Sequence, residues 1–404
     1  MNPPAPEADS PWLSAEAAAA LLAVRRSSLY SYVSRGLLRA QKMPGERGSR
    51  YLQSDVMRLA RQRQAVRNPA RLAQATLDWG QPVLSSAITL VADGHLYYRG
   101  RDAVPWAEHA TLEQTALWLW QNHDDGAHRP PAGDSKPPAP ATALSAPAAV
   151  LAAWHAATPA VAEQPAALLQ AMGAALLGSS PSSLPAHLCL QRQWQVGTDA
   201  ADTLRCALVL CADHELNASS FAARVVASTG ASLHASVGAG LAALSGPLHG
   251  GMTQLIDRHW DEWHAHEGIA PSLAALLQDT RLGSKPHYCA GFGHPLYPQG
   301  DPRSHALLQR LPPDRRRQRL IDHVYEHTGL HPSLDYALVA VQRAWQLPTG
   351  AAFVLFALGR TAGWIAHALE QRASGQLIRP RAVYTGAEPP TPTPQPAGRV
   401  VRFR

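Results

Sequence analysis

Three histidines, one aspartate and several arginines stand where this chain turns sharply or starts a helix. His249 lies in Ser245-Gly246-Pro247-Leu248-His249-Gly250-Gly251, with a helical run opening at Met252. His294 lies in Gly291-Phe292-Gly293-His294-Pro295-Leu296-Tyr297, with Asp301-Pro302-Arg303 close behind. Asp335 follows His331-Pro332-Ser333-Leu334 and opens a segment with Leu334, Leu338, Val341 and Trp345 on one helical face. His214 sits in Ala212-Asp213-His214-Glu215-Leu216-Asn217-Ala218-Ser219, Arg360 in Gly359-Arg360-Thr361-Ala362-Gly363-Trp364, and Arg379 in Ile378-Arg379-Pro380-Arg381. An imidazole buried beside a helix start resists charging, and a neutral ring donates a hydrogen bond to a carbonyl oxygen. One carboxylate can remove a proton, and guanidinium groups clamp carboxylates in bidentate fashion. The set suits carbon–carbon bond formation between an enolisable thioester and a dicarboxylate ketone. Each residue also has a structural reading. Asp335 can be a first-turn acid favoured by the helix dipole, His294 a buried loop histidine, and Arg360 an ion-pair partner of Glu370 or another acid.

Helices must position these groups. From Ala149 onward the pattern predicts helices over 149–157, 163–177, 199–212, 217–244, 252–265, 271–278, 304–310, 316–328, 333–346 and 349–374, with no alternating strand pattern between them. Leu84–Val91 and Leu96–Gly100 around Ala92-Asp93-Gly94-His95 read as a hairpin, followed by a helix over Thr111–Trp120. Residues 122–148 are rich in Pro, Gly and Ala and read as an exposed surface segment. Residues 387–404 read as a C-terminal arm.

At 404 residues, with 46% hydrophobic and only 16% charged residues, the chain can bury a large core and build two or three domains. The four cysteines form no Cys-x-x-Cys pair, which excludes the usual zinc spacing and points to a reducing compartment. No signal region opens the chain, and no uninterrupted apolar run approaches the roughly 18 residues of a membrane span. These features predict a cytoplasmic protein without a membrane partner.

Most of the net charge of +6 is concentrated at the start: the first 65 residues hold ten Lys/Arg against five Asp/Glu. Ser14 is the expected N-cap of a helix running to Val24. Arg25-Arg26-Ser27-Ser28 reads as a turn, Leu29–Gly36 as a second helix, Arg39–Tyr51 as a basic wing and Val56–Arg67 as a third helix. This plan resembles the winged helix-turn-helix modules of excisionases and mercury regulators, placing residues 1–67 in such a module. The resemblance implies DNA contact through Arg25, Arg26, Tyr30 and Arg35. Because one module reads one half-site, it also favours a dimer.

The segments bearing the candidate residues resemble, in order, the motifs of the citrate synthase family. They are Gly-Pro-Leu-His-Gly-Gly, Gly-Phe-Gly-His…Asp-Pro-Arg, the later Asp335, Arg-Thr-Ala-Gly-Trp-Ile-Ala-His and Arg-Pro-Arg-x-x-Tyr-Thr-Gly, preceded by the Asp93–Gly100 hairpin. The likeness covers roughly residues 78–386. It implies a mainly α fold with a small N-terminal β-hairpin, a large domain of residues 78–251 and 346–386, and a small domain of residues 252–345. It assigns Asp335 as the base that deprotonates acetyl-CoA. His249 would stabilise the enol or enolate, and His294 would polarise the ketone of oxaloacetate. His214, Arg303, Arg360 and Arg379 would hold oxaloacetate, with Arg379 reaching across a homodimer. It implies no metal and no cofactor beyond the coenzyme A thioester that serves as substrate. Propionyl-CoA, giving 2-methylcitrate, is an alternative substrate. A DNA-binding regulator with a ligand-sensing body is the alternative of another class. The sequence departs from the family at Pro298, where a basic residue often meets CoA phosphates; Arg281 and Lys285 are nearby substitutes.

Overall fold

The computed structural model describes residues 12–34, 37–38, 40–42, 48–52, 55–56, 59, 84–121, 147–156, 163–278, 290–382 and 385–387. The chain divides into two compact units, one of Met1–Ser85 with Pro380–Arg404 and one of Ser86–Arg379.

The first unit contains β1 (Trp12–Leu13), α1 (Ala15–Leu22), α2 (Arg26–Ser34), β2 (Ala40–Lys42) and β3 (Ser49–Leu52), with an antiparallel sheet in the order β1-β3-β2. The Ser14 hydroxyl accepts from the Ala17 N–H, as its N-cap role requires. Ala23 then takes a left-handed conformation that ends α1 within one residue. The expected Arg25–Ser28 turn is shorter, because α2 already begins at Arg26. Leu29 of α2 buries against Ala18, Leu22 and Tyr51, while Arg25, Arg26 and Tyr30 face outward, Tyr30 being 70% exposed. Strand β1, paired to the wing, was not expected. Of the third helix only 55–56 and 59 are described, with Val56 and Leu59 in the same small core. Arg35 lies outside the described residues.

The second unit opens with β4 (Thr89–Ala92), β5 (His95–Tyr98) and β6 (Arg101–Asp102), an antiparallel sheet in that order. Asp93 and Gly94, at φ 51° and 79°, make the two-residue turn that suits the twist of paired strands. The first strand is shorter than expected, four residues from Thr89. Helices follow: α3 (Ala103–Ala107), α4 (Leu112–Leu119), α5 (Pro147–Ala156), α6 (Pro165–Leu177), α7 (Ala186–Trp194), α8 (Thr198–Cys211), α9 (Ala218–Ser228), α10 (Leu233–Leu244), α11 (Met252–Ala265), α12 (Pro271–Gln278), α13 (Pro302–Gln309), α14 (Arg315–Thr328), α15 (Leu334–Ala344) and α16 (Ala351–Ser374). The mainly α fold is thus as the sequence implied. Three readings are corrected. The helix expected over 217–244 is two, broken at Gly230 (φ 82°) and restarted by the Ser232 N-cap. Helix α7 was missed, although Leu190 and Trp194 lie four residues apart on its buried face. Pro147 and Ala148 open α5, leaving residues 122–146 of the Pro-rich segment outside the described residues. Residues 388–404 lie outside them too.

Helix α16 is the hub of the core. Its apolar window is long enough to span a bilayer by composition but is 94% buried inside the protein. It packs on α8 through two glycines. A Cβ on Gly359 would lie 2.6 Å from the Leu208 carbonyl oxygen, and one on Gly363 would lie 2.4 Å from that of Ala212. A buried polar network locks the far side of the contact. His367 Nε2 is 3.3 Å from Asp213, and Arg224 donates to His367 Nδ1 (2.9 Å) and Glu370 (2.6 Å). Thr89 of the hairpin donates to Asp213 at 2.6 Å. Glu370 therefore pairs with Arg224, which removes the structural reading that tied Arg360 to Glu370.

Candidate active site

A helix leaves its last carbonyls without intrahelical partners. At the end of α8, Tyr98 Oη lies within 3.0 to 3.2 Å of the Val209 and Leu210 carbonyl oxygens. Arg360 Nε donates to the Cys211 carbonyl at 2.8 Å, and the Gly363 N–H to that of Ala212 at 2.9 Å. His214 follows at once, so its place is set by the contact of α8 with α16. Its Nε2 lies 2.9 Å from the Tyr297 hydroxyl, and its ring meets that of His294 edge-on at 5.0 Å. Arg303, in the first turn of α13, makes a buried bidentate pair with Asp301 (2.9 and 2.7 Å) and lies over the Tyr297 ring. Its Nη1 is not part of that pair. Arg360 lies 4.9 Å from the centre of the Phe356 ring, whose neighbour at 5.7 Å is His249. Burial, followed by Arg303, His294, Arg360 and His249, holds His214 well below the usual imidazole range, so these groups share one electrostatic environment. Burial also lowers Arg360.

His249 lies in a turn that folds back on itself. Gly251 N–H is shared by the Leu244 and Gly246 carbonyls, and a Cβ on Gly251 would lie 2.6 Å from the Ser245 carbonyl oxygen. The glycines serve this self-contact. Burial and then Arg360 pull His249 down to about 3. Its Nε2 sits 2.9 Å from Ser219 Oγ, which is 2.7 Å from Asn217 Oδ1. The Ser219 hydroxyl donates to Asn217 Oδ1, which can only accept, and it turns to His249 Nε2 only by giving up that bond. When it points to Nε2, the ring proton resides on Nδ1, and Nδ1 is then the donor left for a ligand.

His294 and Asp335 are tied by backbone. Phe292 and Pro332 form an antiparallel bridge. Gly293 N–H donates to the His331 carbonyl (2.7 Å) and Ser333 N–H to that of Gly291 (2.8 Å). Gly291 takes φ 87° there, a conformation open to glycine. His294 Nδ1 accepts the Leu296 N–H at 3.2 Å, which places the proton of the neutral ring on Nε2. Burial, with Arg303 adding to it, lowers His294 to about 4. Asp335 is 5% exposed in the first turn of α15, with Ser333 Oγ 3.5 Å from its Oδ2. The Leu334 N–H is 3.3 Å from Asp301, so one carboxylate joins Arg303 to the helix bearing Asp335.

The structure therefore brings together His214, His249, His294, Arg303 and Arg360, and registers Asp335 with His294. Arg379 stands apart, exposed beyond α16. Pro298 is exposed, and Arg281 and Lys285 lie outside the described residues. Sequence reasoning gave no role to Tyr297, Ser219, Asn217 or Asp301. All four lay within the motifs it singled out, three to seven residues from a candidate histidine, and their polar types were the only signal. The arrangement offers two neutral imidazole donors, a buried carboxylate and two guanidinium groups around one space. That set can stabilise developing negative charge on oxygen and hold a dianion.

Residues 141–381 match the family model of the citrate synthase C-terminal domain, and residues 12–64 match a helix-turn-helix domain model. Among curated proteins the chain is 36% identical over 192 residues to citrate synthase 2 of Bacillus subtilis, covering 45% of this chain and 50% of that one. It is 34% identical over 193 residues to 2-methylcitrate synthase 1 of Corynebacterium glutamicum, covering 45% and 49%. The chain thus spans about half the length of the curated relatives it matches. Among solved structures it resembles the citrate synthase of Thermotoga maritima (24% identity, TM-score 0.58, covering 78% of this chain and 96% of that one). It also resembles the Thermoplasma acidophilum citrate synthase solved as a ternary complex with carboxymethyl coenzyme A and oxaloacetate (23%, TM-score 0.55, the same coverage). At these identities the likeness is one of fold. With the family model matching well over half its length, the chain belongs to the citrate synthase family and carries a helix-turn-helix domain ahead of it.

Proposed function

We propose that this protein condenses acetyl-CoA with oxaloacetate and hydrolyses the resulting citryl-CoA to citrate and CoA. Asp335 takes a proton from the acetyl methyl group while His249 donates a hydrogen bond to the thioester oxygen. The enol carbon then attacks the ketone carbon of oxaloacetate. His294, through Nε2–H, polarises the ketone oxygen and protonates the new alkoxide. Water cleaves the thioester, and the thiol of CoA leaves. Arg303, Arg360 and His214 hold the carboxylates of oxaloacetate. The observation that carries this reading is the pair of neutral histidines, held at about 3 and about 4, facing two buried arginines. A neutral donor strengthens its hydrogen bond as charge develops on the substrate oxygen.

The same reading makes the enzyme a cytoplasmic homodimer, with the exposed Arg379 completing the site of the partner subunit. Residues 252–345 then form a small domain that closes on a large domain of 78–251 and 346–386, excluding water. No metal or further cofactor enters the reaction. Propionyl-CoA is the competing substrate, since one methylene is worth only about 1–3 kcal/mol of discrimination. Thiol release from acetyl-CoA plus oxaloacetate, by the wild type and by Asp335→Asn, is the test. Activity lost in the variant supports the reading, and an inactive wild type overturns it. The ratio of kcat/KM for the two acyl-CoAs decides the substrate.

A second role rests on the outward face of α2, with Arg25, Arg26 and Tyr30 exposed: binding of duplex DNA. A salt-sensitive mobility shift of duplex DNA, lost when Arg25 and Arg26 are replaced by Ala, is expected. Retention of the full shift in that variant removes this role.

A further inference from the structure

The residue after Asp335 is buried and makes a hydrogen bond that the proposed chemistry does not use. Tyr336 is fully buried, and its hydroxyl is 3.0 Å from His264 Nε2. His264 Nδ1 is 2.6 Å from the Trp260 carbonyl oxygen, which can only accept. The imidazole proton is therefore on Nδ1, and the Tyr336 O–H must donate to Nε2. Burial holds His264 below the ordinary imidazole range and raises the Tyr336 phenol, in keeping with a neutral pair.

Three segments meet at this bond. Helix α11, which starts three residues after His249, carries Trp260 and His264 at its far end, their rings stacked at 3.8 Å. The loop leading to His294 places Phe292 4.9 Å from the Tyr336 ring, and a Cβ on Gly291 would lie 3.2 Å from Tyr336 Cβ and 2.6 Å from Ile256 of α11. Helix α15 supplies Tyr336 itself, and Arg343 clamps it again to α11 through Asp257 at 2.7 Å. A hydrogen bond between two rigid rings holds their separation and angle within narrow limits.

We infer that the Tyr336–His264 hydrogen bond is a positioning element that fixes how far Asp335 projects toward the groups beside His294 and His249. It rests on the proposed condensation and deepens it by assigning two residues outside the substrate space. Asp335 and Tyr336 are consecutive, so loss of the bond leaves the start of α15 held by the Ser333 and Leu334 amides and the Phe292–Pro332 bridge on the side facing His294. His214, Arg303 and Arg360 are held by other contacts.

The test uses the full-length protein with Tyr336→Phe, His264→Leu and His264→Gln. The glutamine can accept from Tyr336 through its oxygen and donate to Trp260 through its amide. Tyr336→Phe and His264→Leu are expected to lower kcat roughly tenfold, the scale of a sub-ångström misplacement. KM for oxaloacetate should stay within about twofold, and the primary isotope effect with deuterated acetyl-CoA should rise, since proton removal alone is slowed. His264→Gln should recover most of kcat. Equal losses of thermal stability in the variants with unchanged kcat and isotope effect overturn the assignment and leave a merely structural bond. If the wild type releases no thiol, the condensation reading fails on its own. The positioning is then read from the Tyr336→Phe crystal structure, where an Asp335 carboxylate displaced by about 0.5 Å or more supports it and an unmoved one overturns it.

Discussion

Gly363 is the position where the smallest change should do most to the side of the site that is proposed to hold oxaloacetate. A Cβ there would lie 2.4 Å from the Ala212 carbonyl oxygen, 2.4 Å from Asp213 Oδ1 and 3.0 Å from Asp213 Cβ. Carbon and oxygen meet comfortably at about 3.3 Å, so Gly363→Ala must open the seam by about 1 Å. Two of the three obstructing atoms belong to Asp213, which is held by Thr89 and His367, and the third is the carbonyl capped by Gly363 N–H itself. None is the free end of a flexible chain. The displacement therefore passes to the next residue, His214, and to the Cys211 carbonyl that orients Arg360. Overpacking of this kind costs about 1–3 kcal/mol of stability. An ångström of misplacement at a substrate-positioning group can cost up to about 100-fold in rate. In a thiol-release assay Gly363→Ala should raise KM for oxaloacetate at least about tenfold and lower kcat, with KM for acetyl-CoA nearly unchanged. Gly268→Ala, with nothing within 4 Å of its added Cβ, is the control and should resemble the wild type. Wild-type KM and thermal stability in Gly363→Ala would refute the claim that the α8–α16 seam sets the site.

The neutral histidines give stability a definite pH dependence. His249 and His294 fall to about 3 and about 4 in the folded chain, while an unfolded imidazole takes up its proton near 6.5. Between those values the unfolded state binds more protons, so stability is full above about pH 6.5. It falls on acidification by up to about 1.4 kcal/mol per pH unit per histidine. Urea midpoints at pH 7.5 and 5.0 should show this, and His294→Gln should flatten the slope. Ser219→Ala should lower kcat roughly tenfold without changing KM for oxaloacetate, because it removes the group that can keep the His249 proton on Nδ1. Asp301→Ala leaves Arg303 buried without its carboxylate and should cost about 3–5 kcal/mol, read from the urea midpoint.

The sequence announced the candidate segments because each joins a chemically distinctive residue to a helix start or a glycine turn. His249, His294 and Asp335 were legible in this way, as were the helices that carry them. What it could not supply were relations between distant segments. The pairing of Phe292 with Pro332 aligns two loops about forty residues apart, and no local pattern encodes it. Burial, which the sequence reading named, is the largest cause of the neutral His249, but the second cause, Arg360, lies more than a hundred residues away and no local pattern points to it. Gly359 and Gly363 looked like ordinary spacing around Arg360 until α8 was seen against them.

The hairpin has a practical meaning for shortening the chain. The family match begins at residue 141, yet Tyr98 caps the end of α8 and Thr89 holds Asp213. Glu370 also accepts from the Ala87 N–H. A product cut at the match boundary would strip these partners from the carbonyls and carboxylates nearest His214, leaving them buried and unsatisfied. The smallest version worth expressing therefore begins at Ser86. A search for minimal versions guided by sequence matching alone would discard the segment that supports the backbone beside His214.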